Sequence, residues 1–280
     1  MFAELNFNDR LREAQSRKES ILCVGLDPDV DRLPRHLLRG NSEAEAVLQF
    51  NRTIIASTHP YACAFKLNLA FYEVLGRRGF EVLQKTRHMI PADCLTIADA
   101  KRGDIGNTAR KYAQAIFEQL NFDACTIAPY MGRDAALPFL EYPGKAVFIL
   151  VRTSNYSSIE FQSWPVEGVP FYELVARHAV RWNMDMPGTI GMVVGGTHTE
   201  APAHLRAKFP TVPFLIPGIG AQGGSMQAAT QAATIKGRIL VNSSRNILYQ
   251  ASGANFATRA SQVAMETQHR LNQLLTPYQP

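Results

Sequence analysis

The sequence predicts a (β/α)8 barrel, and three observations support this prediction. About eight short segments are apolar throughout, as strands buried on both faces of a parallel sheet are. Most of them precede a segment with helical periodicity, and this alternation builds parallel α/β folds. The chain has 280 residues, a length at which such barrels commonly form one domain. We therefore expect one barrel domain over residues 1–280, with a helix before the first strand and another after the last.

The individual elements follow from local patterns. Residues 6–18 are polar and helix-like, residues 171–184 are helical, and a final amphipathic helix follows Asn255. Ser42 and Glu45 form a capping box, which predicts a helix between the first two strands. The predicted strands are residues 21–29, 62–68, 95–98, 123–130, 146–155, 189–198, 214–220 and 238–244.

Composition and charge restrict the function classes. Hydrophobic residues make up 46% and charged residues 19%, as in globular proteins that fold in water. The net charge of +5 suits an anionic substrate. No run of Lys and Arg and no basic stripe with interleaved aromatic residues is present, so we do not expect nucleic-acid binding.

The cysteines and the N-terminal segment predict a cytoplasmic protein. The cysteines are widely spaced without a C-x-x-C motif, which is typical of small core residues in a reducing compartment. The first residues do not resemble a signal peptide, and no apolar stretch is long enough to cross a bilayer. The four cysteines are Cys23, Cys63, Cys94 and Cys125.

Charged residues follow the third predicted strand. The side-chain period of two places Asp99 and Lys101 on one strand face, Gly103 breaks the strand, and Asp104 precedes a helix. One interpretation is a structural ion pair, with Asp104 or Asn107 as the helix N-cap. The other is a catalytic site, because α/β proteins place their chemistry at the carboxyl ends of parallel strands. The position favours the second interpretation.

Two later loops suit a phosphate group. Residues 216–224 are rich in glycine and offer closely spaced backbone N–H groups, and Arg245 follows the last strand. Barrels frequently bind phosphate after their seventh and eighth strands. The glycines also fit G-x-G-x-x-G, but Asn242 stands where a dinucleotide site needs an acid. The irregular segment 154–168, which contains Trp164, is a candidate lid.

These residues resemble the orotidine 5′-phosphate decarboxylase family, whose members make UMP in pyrimidine biosynthesis, and in particular its longer bacterial sequence group. The signature is Asp-Ala-Lys-Arg-Gly-Asp-Ile at residues 99–105, with Thr108. The segment between Ser154 and Thr189 is longer than in compact family members. Further matches, in chain order, are Leu26-Asp27, Phe65-Lys66, Arg152-Thr153-Ser154-Asn155, residues 217–224 and Ser244-Arg245.

The resemblance implies a role for each matching residue. It implies an alternating charge array in a homodimer with shared active sites, in which the partner subunit supplies one aspartate and one threonine. It also implies orotidine 5′-monophosphate as substrate and no metal or cofactor. The array would be Lys66, Asp99, Lys101 and Asp104, with Asp104 reaching the neighbouring site; Asp27, Lys66 and the partner's Thr108 would hold the ribose, Ser154 the pyrimidine, and Gln222 and Arg245 the phosphate, with Pro217 and Ser244 also in the substrate site.

The residues also support a chemical argument. Loss of CO2 from C6 of the substrate leaves a carbanion that the ring carbonyls cannot delocalise in the usual way, and the sequence has no motif for an organic or metal electron sink. A lysine about 4 Å from such an anion contributes roughly 4 kcal/mol at an effective dielectric constant near 20. We expect Lys101 to supply this charge and the proton, and Asp99 and Asp104 to keep Lys101 protonated.

Two alternatives remain open. A sugar-phosphate decarboxylase or epimerase on the same barrel can use the same D-x-K-x-x-D strand end, but typically needs a divalent metal; Lys66 and Ser154-Asn155 count against it. A non-catalytic nucleotide-binding protein is the other alternative, since a fold alone does not establish catalysis. Retention of all four array charges counts against that second alternative.

Overall fold

The computed structural model describes residues 5–198, 200–218, 225–234 and 237–275. Eight parallel strands close into a barrel in the order β1-β10-β9-β8-β5-β4-β3-β2, which confirms the predicted fold class. A short antiparallel hairpin, β6 with β7, lies outside it. The strands are β1 (Leu22–Leu26), β2 (Ala64–Asn68), β3 (Leu95–Arg102), β4 (Ala124–Ile127), β5 (Ala146–Arg152), β6 (Pro165–Val166), β7 (Val169–Pro170), β8 (Thr189–Val194), β9 (Phe214–Ile216) and β10 (Ile239–Ser243).

Helices pack around the outside of the barrel, and a layer of buried apolar side chains lies between them and the strands. Three of the short helices have only four residues and mark turns rather than crossover connections. The helices are α1 (Phe7–Lys18), α2 (Arg35–Leu38), α3 (Glu43–Thr58), α4 (Ala70–Glu73), α5 (Gly79–Met89), α6 (Gly106–Gln114), α7 (Arg133–Leu140), α8 (Phe171–Trp182), α9 (Ala201–Lys208), α10 (Met226–Thr230), α11 (Arg245–Leu248) and α12 (Phe256–Leu275).

All eight predicted barrel strands are present, although several ends differ. β3 continues through Arg102, four residues beyond the predicted end, because Asp99 still pairs with Asn68 on β2 and Arg102 pairs with Ile127 on β4 after a register shift. β9 ends at Ile216 rather than at residue 220, since Pro217 has no N–H for a ladder hydrogen bond. Strand ends are therefore set by backbone hydrogen bonding that hydrophobicity alone does not reveal.

Helices α1 and α3 begin where the sequence predicts, and a capping residue precedes each of them. The Asp9 N–H donates to the Asn6 side chain at 3.0 Å at the start of α1. At the start of α3 the Ser42 N–H donates to the Glu45 carboxylate at 2.9 Å, and the Glu45 N–H donates to the Ser42 hydroxyl, so the capping box is complete. These bonds satisfy N–H groups that a helix start otherwise leaves unpaired.

Helix α1 closes the amino end of the barrel. Its buried Phe7, Leu11 and Ala14 belong to the cluster of apolar side chains inside the barrel. The ring of Phe7 meets that of Phe148 on β5 edge to face, with centroids 5.9 Å apart. The barrel interior is thus filled from one end by a helix, which leaves the carboxyl ends of the strands as the open end.

The candidate lid forms a compact structure. A 3₁₀ turn at Tyr156–Glu160 is followed by the β6–β7 hairpin and then by α8. Several large apolar side chains of this segment are exposed, among them Trp164 at 60% and Tyr156 at 89%. Whether the segment closes over a ligand remains a prediction.

Two further predictions concern the cysteines and the membrane. All four cysteines are buried and free, as expected for core residues. Within the described ranges, no helix is both long and apolar enough to cross a membrane.

Removal of the Phe7 ring should destabilise the folded barrel. We expect Phe7→Ala to lower the free energy of unfolding by about 3–5 kcal/mol, because it leaves a cavity in the barrel interior. Urea denaturation followed by circular dichroism measures this change. Phe80→Ala is the matched control, since Phe80 is 53% exposed and should change the midpoint little. Equal effects of the two substitutions would show that α1 does not fill the barrel as described.

Candidate active site

The carboxyl ends of the barrel strands surround a cavity of about 410 Å³. Residues from β2, β3, β4, β5, β8, β9 and β10 line it, together with residues that follow β1, β5, β9 and β10. The cavity brings together residues that are widely separated in the sequence, as parallel strands with a common direction require. Eight of the predicted site residues line it: Asp27, Lys66, Asp99, Lys101, Ser154, Pro217, Ser244 and Arg245.

Two lysines share the Asp99 carboxylate. The Lys66 ammonium donates to Asp99 Oδ2 at 2.6 Å, and the Lys101 ammonium donates to Oδ1 at 2.5 Å. The hydroxyl of Thr126 on β4 also donates to Oδ1, at 3.0 Å. The Lys66 side chain is only 5% exposed, whereas that of Lys101 is 50% exposed. Lys66 is therefore a fixed buried charge, and Lys101 can reach a ligand in the cavity.

Burial and ion pairing act in opposite directions on these groups. Burial favours a neutral Lys66, but the carboxylates of Asp99 and Asp27 outweigh this effect and raise the pKa of Lys66 above its ordinary value. Burial likewise disfavours a charged Asp99, but Lys66 and Lys101 hold the pKa of Asp99 well below its usual range. Both groups of this buried pair are charged at neutral pH.

An irregularity in β3 directs Lys101 toward the cavity. The pairing register with β4 shifts between Ala98 and Arg102, and Lys101 has a φ of +46°, in the left-handed region. The Lys101 N–H donates to the Thr126 hydroxyl at 3.0 Å and supports this conformation. The simple alternation predicted for Asp99 and Lys101 therefore fails at Lys101, although both side chains do meet. Such conformations cost about 1–3 kcal/mol and cluster at functional sites.

Asp27 follows β1 and lies on the side of Lys66 opposite Asp99, because β2 lies between β1 and β3. Its Oδ2 accepts a hydrogen bond from the Ser244 hydroxyl at 2.6 Å. Its buried Oδ1 has no hydrogen-bond partner and lies 4.0 Å from the Lys66 ammonium. Gly25 allows this approach, because a Cβ there would lie 2.6 Å from that of Ser244. Asp27 thus keeps one acceptor for a ligand hydroxyl.

Arg245 provides a further positive charge at the start of α11. Its side chain is exposed and makes no hydrogen bond or ion pair with the part of the chain that the structure describes. Lys66, Lys101 and Arg245 outnumber the two aspartates that line the cavity. The site therefore carries a net positive charge and suits an anionic ligand.

Of the three remaining predicted site residues, two are not brought into this cavity. Asp104 and Thr108 do not line it, and the Asp104 carboxylate accepts a hydrogen bond from the Ile105 N–H at 2.8 Å. The helix cap that belonged to the less favoured interpretation, Asp104 or Asn107, is wrong: Ile105 is the N-cap of α6 and makes no side-chain capping bond. The third residue, Gln222, lies outside the described residues.

The comparison with known proteins identifies the family. Residues 20–260 match the pattern of the orotidine 5′-phosphate decarboxylase / HUMPS family. The chain belongs to this family. A relative named orotidine 5′-phosphate decarboxylase from Dehalococcoides mccartyi is 44% identical, over 96% of this chain and 98% of the relative. One of the same name from Thermomicrobium roseum is 41% identical, over 96% of each chain.

Solved structures lead to the same family. The structure of Leishmania donovani OMP decarboxylase superposes with a TM-score of 0.83 at 37% identity, and the match covers 97% of this chain and 100% of the other. The barrel with its site at the strand ends is therefore that of the orotidine 5′-phosphate decarboxylase / HUMPS family.

Thr126 and Asn68 are among the polar residues of the cavity that sequence reasoning did not identify as site residues. Thr126 lies on β4 and bonds Asp99, and Asn68 ends β2. Thr126 is a polar residue in an otherwise apolar strand, directly before Ile127. A polar residue at the end of an apolar strand was therefore the sequence signal that could have identified Thr126.

Asp99 should stabilise the folded protein in a pH-dependent way. Asp99→Asn leaves the buried Lys66 ammonium without its main partner, so we expect a loss of about 3–5 kcal/mol at pH 7. Because the pKa of Asp99 is lowered by folding, its contribution is complete above the unfolded pKa of about 3.9 and declines below it. The difference between wild type and variant should narrow by about 1 kcal/mol from pH 7 to pH 3, measured by urea denaturation. A difference that is the same at both pH values would contradict the assigned ion pair.

Proposed function

We propose that this protein decarboxylates orotidine 5′-monophosphate to UMP and CO2 in de novo pyrimidine biosynthesis, without a metal or organic cofactor. The family membership and the names of the relatives support this reaction. The observation that carries it is the Lys66–Asp99–Lys101 chain of ion pairs inside a cavity that also contains Arg245. That cavity combines a fixed charge array with a separate anion-binding group.

The substrate can be placed by its chemical groups. The phosphate dianion would pair with Arg245, with help from Gln222 and backbone groups beside Pro217. The ribose hydroxyls would bond the free Asp27 Oδ1 and the neighbouring Lys66. Ser154 and the adjacent Asn155, which follow β5, would contact the pyrimidine. This placement brings C6 of the base toward the exposed ammonium of Lys101.

The reaction then needs only charge and one proton. The bond from C6 to the carboxylate breaks, CO2 leaves, and the electron pair remains on C6. The Lys101 ammonium stabilises that carbanion and then transfers a proton to C6, which gives UMP; solvent reprotonates the neutral amine. Because Asp99 already holds the ammonium in place, little reorganisation is needed when charge develops.

Asp99 and the phosphate site have complementary effects on the activation free energy of decarboxylation. The Asp99 carboxylate keeps both lysines charged, and it would lie close to the substrate carboxylate that is lost. Binding energy from the phosphate at Arg245 would offset the unfavourable approach of two anions. Binding of the remote phosphate at Arg245 therefore contributes to catalysis.

We further propose a homodimer in which Asp104 and Thr108 complete the partner's site. Asp104 precedes α6 and Thr108 lies in its first turn, directly after the strand that carries Asp99 and Lys101, but neither residue lines the cavity in its own chain. Ile105 between them is 50% exposed, as an apolar residue at an interface would be before association. We also propose a cytoplasmic location, since the cysteines are free thiols.

Removal of the Lys101 ammonium should abolish decarboxylation. We expect Lys101→Ala to lower turnover by about a thousandfold or more, because about 4 kcal/mol of electrostatic stabilisation and the proton donor are lost. Loss of the orotate absorbance band, with UMP identified as product, measures the reaction in EDTA. Lys111→Ala on the exposed face of α6 is the matched control and should keep wild-type activity.

The same assay separates the alternatives. Activity of the wild type that disappears in EDTA and returns with a divalent metal would contradict the cofactor-free proposal. An unchanged spectrum with folded wild-type protein would contradict orotidine 5′-monophosphate as substrate, and phosphorylated sugars with added metal would then be tested.

Shared active sites predict complementation between two inactive variants. A heterodimer of Lys101→Ala and Asp104→Ala chains contains one site with both mutations and one with neither. Random exchange of subunits should therefore restore roughly a quarter of wild-type activity. Co-refolding of the two variants, followed by the absorbance assay, measures this recovery. A mixture no more active than its separate components would contradict a contribution of Asp104 to the partner's site.

A further inference from the structure

Thr153 directly precedes Ser154, the residue assigned to the pyrimidine, and accepts hydrogen bonds from, or donates them to, side chains of two other segments. Gln162 accepts a hydrogen bond from the Thr153 N–H at 2.8 Å and donates one to the Thr153 hydroxyl at 2.8 Å. His198, which follows β8, bonds the Thr153 carbonyl through Nε2 at 2.9 Å. Thr153, Ser154 and Asn155 line the cavity, whereas Gln162 and His198 do not. Two residues outside the cavity therefore position its wall.

Arg152 connects these two residues. Its buried guanidinium donates to the Ser158 carbonyl at 3.1 Å and to Gln162 Oε1 at 3.4 Å. It also lies 5.7 Å from the ring centre of Tyr172. The 3₁₀ turn and Gln162 are thus attached to the end of β5, so the segment between β5 and α8 is anchored at the cavity wall. An arginine with several donors in a planar fork suits this role.

The hydrogen bonds of His198 define its tautomer. A carbonyl oxygen only accepts, so Nε2 carries the proton, and the unprotonated Nδ1 faces the Arg152 guanidinium at 3.5 Å. Burial and the Arg152 charge lower the pKa of His198, although its bond to Thr153 acts against them. His198 is therefore a neutral donor with one orientation.

The loop after β8 also contacts Ser154 directly. The Thr197 hydroxyl donates to the Ser154 carbonyl at 3.2 Å. Gly195 passes so close that a Cβ there would lie 2.8 Å from the Ser154 nitrogen. The Ser154 backbone is consequently fixed by this loop on one side and, through Thr153, by Gln162 on the other.

We propose that Gln162 and His198 are positioning residues that set the location of Ser154 and thereby the affinity of the site for the pyrimidine base. This inference rests on the proposed function, in which Ser154 contacts that base. Neither residue contacts Asp27 or Arg245, which are assigned to the ribose and phosphate. Their loss should therefore weaken binding of the base selectively, which a general structural role would not do.

Two ligands separate these roles: UMP, which contains the base, and ribose 5-phosphate, which lacks it. We expect Gln162→Leu, which preserves size and removes both bonds to Thr153, to weaken UMP binding about tenfold, because small displacements of a positioned group are costly. Its affinity for ribose 5-phosphate should change less than about twofold. Isothermal titration calorimetry measures both affinities. Gln262→Leu on exposed α12 is the matched control.

A second pair of variants tests His198 by restoration of its donor. His198→Leu should weaken UMP binding selectively, and His198→Gln, whose amide can donate to the Thr153 carbonyl, should restore much of it. An equal loss for UMP and ribose 5-phosphate, or unchanged UMP affinity in Gln162→Leu and His198→Leu, would overturn the proposal while leaving the proposed function intact. Absence of UMP binding by the wild type would overturn both.

Discussion

The buried ion pair between Lys66 and Asp99 is the interaction on which the rest of the site depends. A lysine that is 5% exposed is strongly disfavoured unless a carboxylate pairs with it, and Asp99 supplies that carboxylate at 2.6 Å. Asp99 then has one oxygen left, which Lys101 and Thr126 share. The position of the exposed ammonium is therefore a consequence of the need to neutralise the buried one, and the barrel keeps both at its open end.

The fold could be predicted because its physical signals are local. Strands buried on both faces need uninterrupted apolar residues, and the eight segments that met this requirement are the eight barrel strands. Charges at strand ends cannot be buried alone, and their common position at one edge follows from parallel strand direction. Hence Asp99 and Lys101 could be assigned to a site at a strand end from the sequence, whereas Asp27 and Lys66 were added to it only by the resemblance to the family.

The remaining features depend on contacts that a sequence does not display. The left-handed conformation of Lys101 arises from a register shift against β4, and the support from Thr126 is visible only when both strands are in place. The positions of Gln162 and His198 around Thr153 depend on the path of two long loops. Asp104 has its proposed role only in a second copy of the chain, which the sequence of one chain cannot position.

In the proposed reaction a preorganised ammonium, rather than a cofactor, stabilises the charge at C6. Exchange of the C6 hydrogen of UMP for deuterium tests it most directly, because the reaction forms the same carbanion without loss of CO2. In D2O with EDTA, proton NMR should show exchange of this hydrogen in the presence of the wild-type protein and a loss of about a thousandfold in rate with Lys101→Ala. Exchange at equal rates with both proteins would contradict the account.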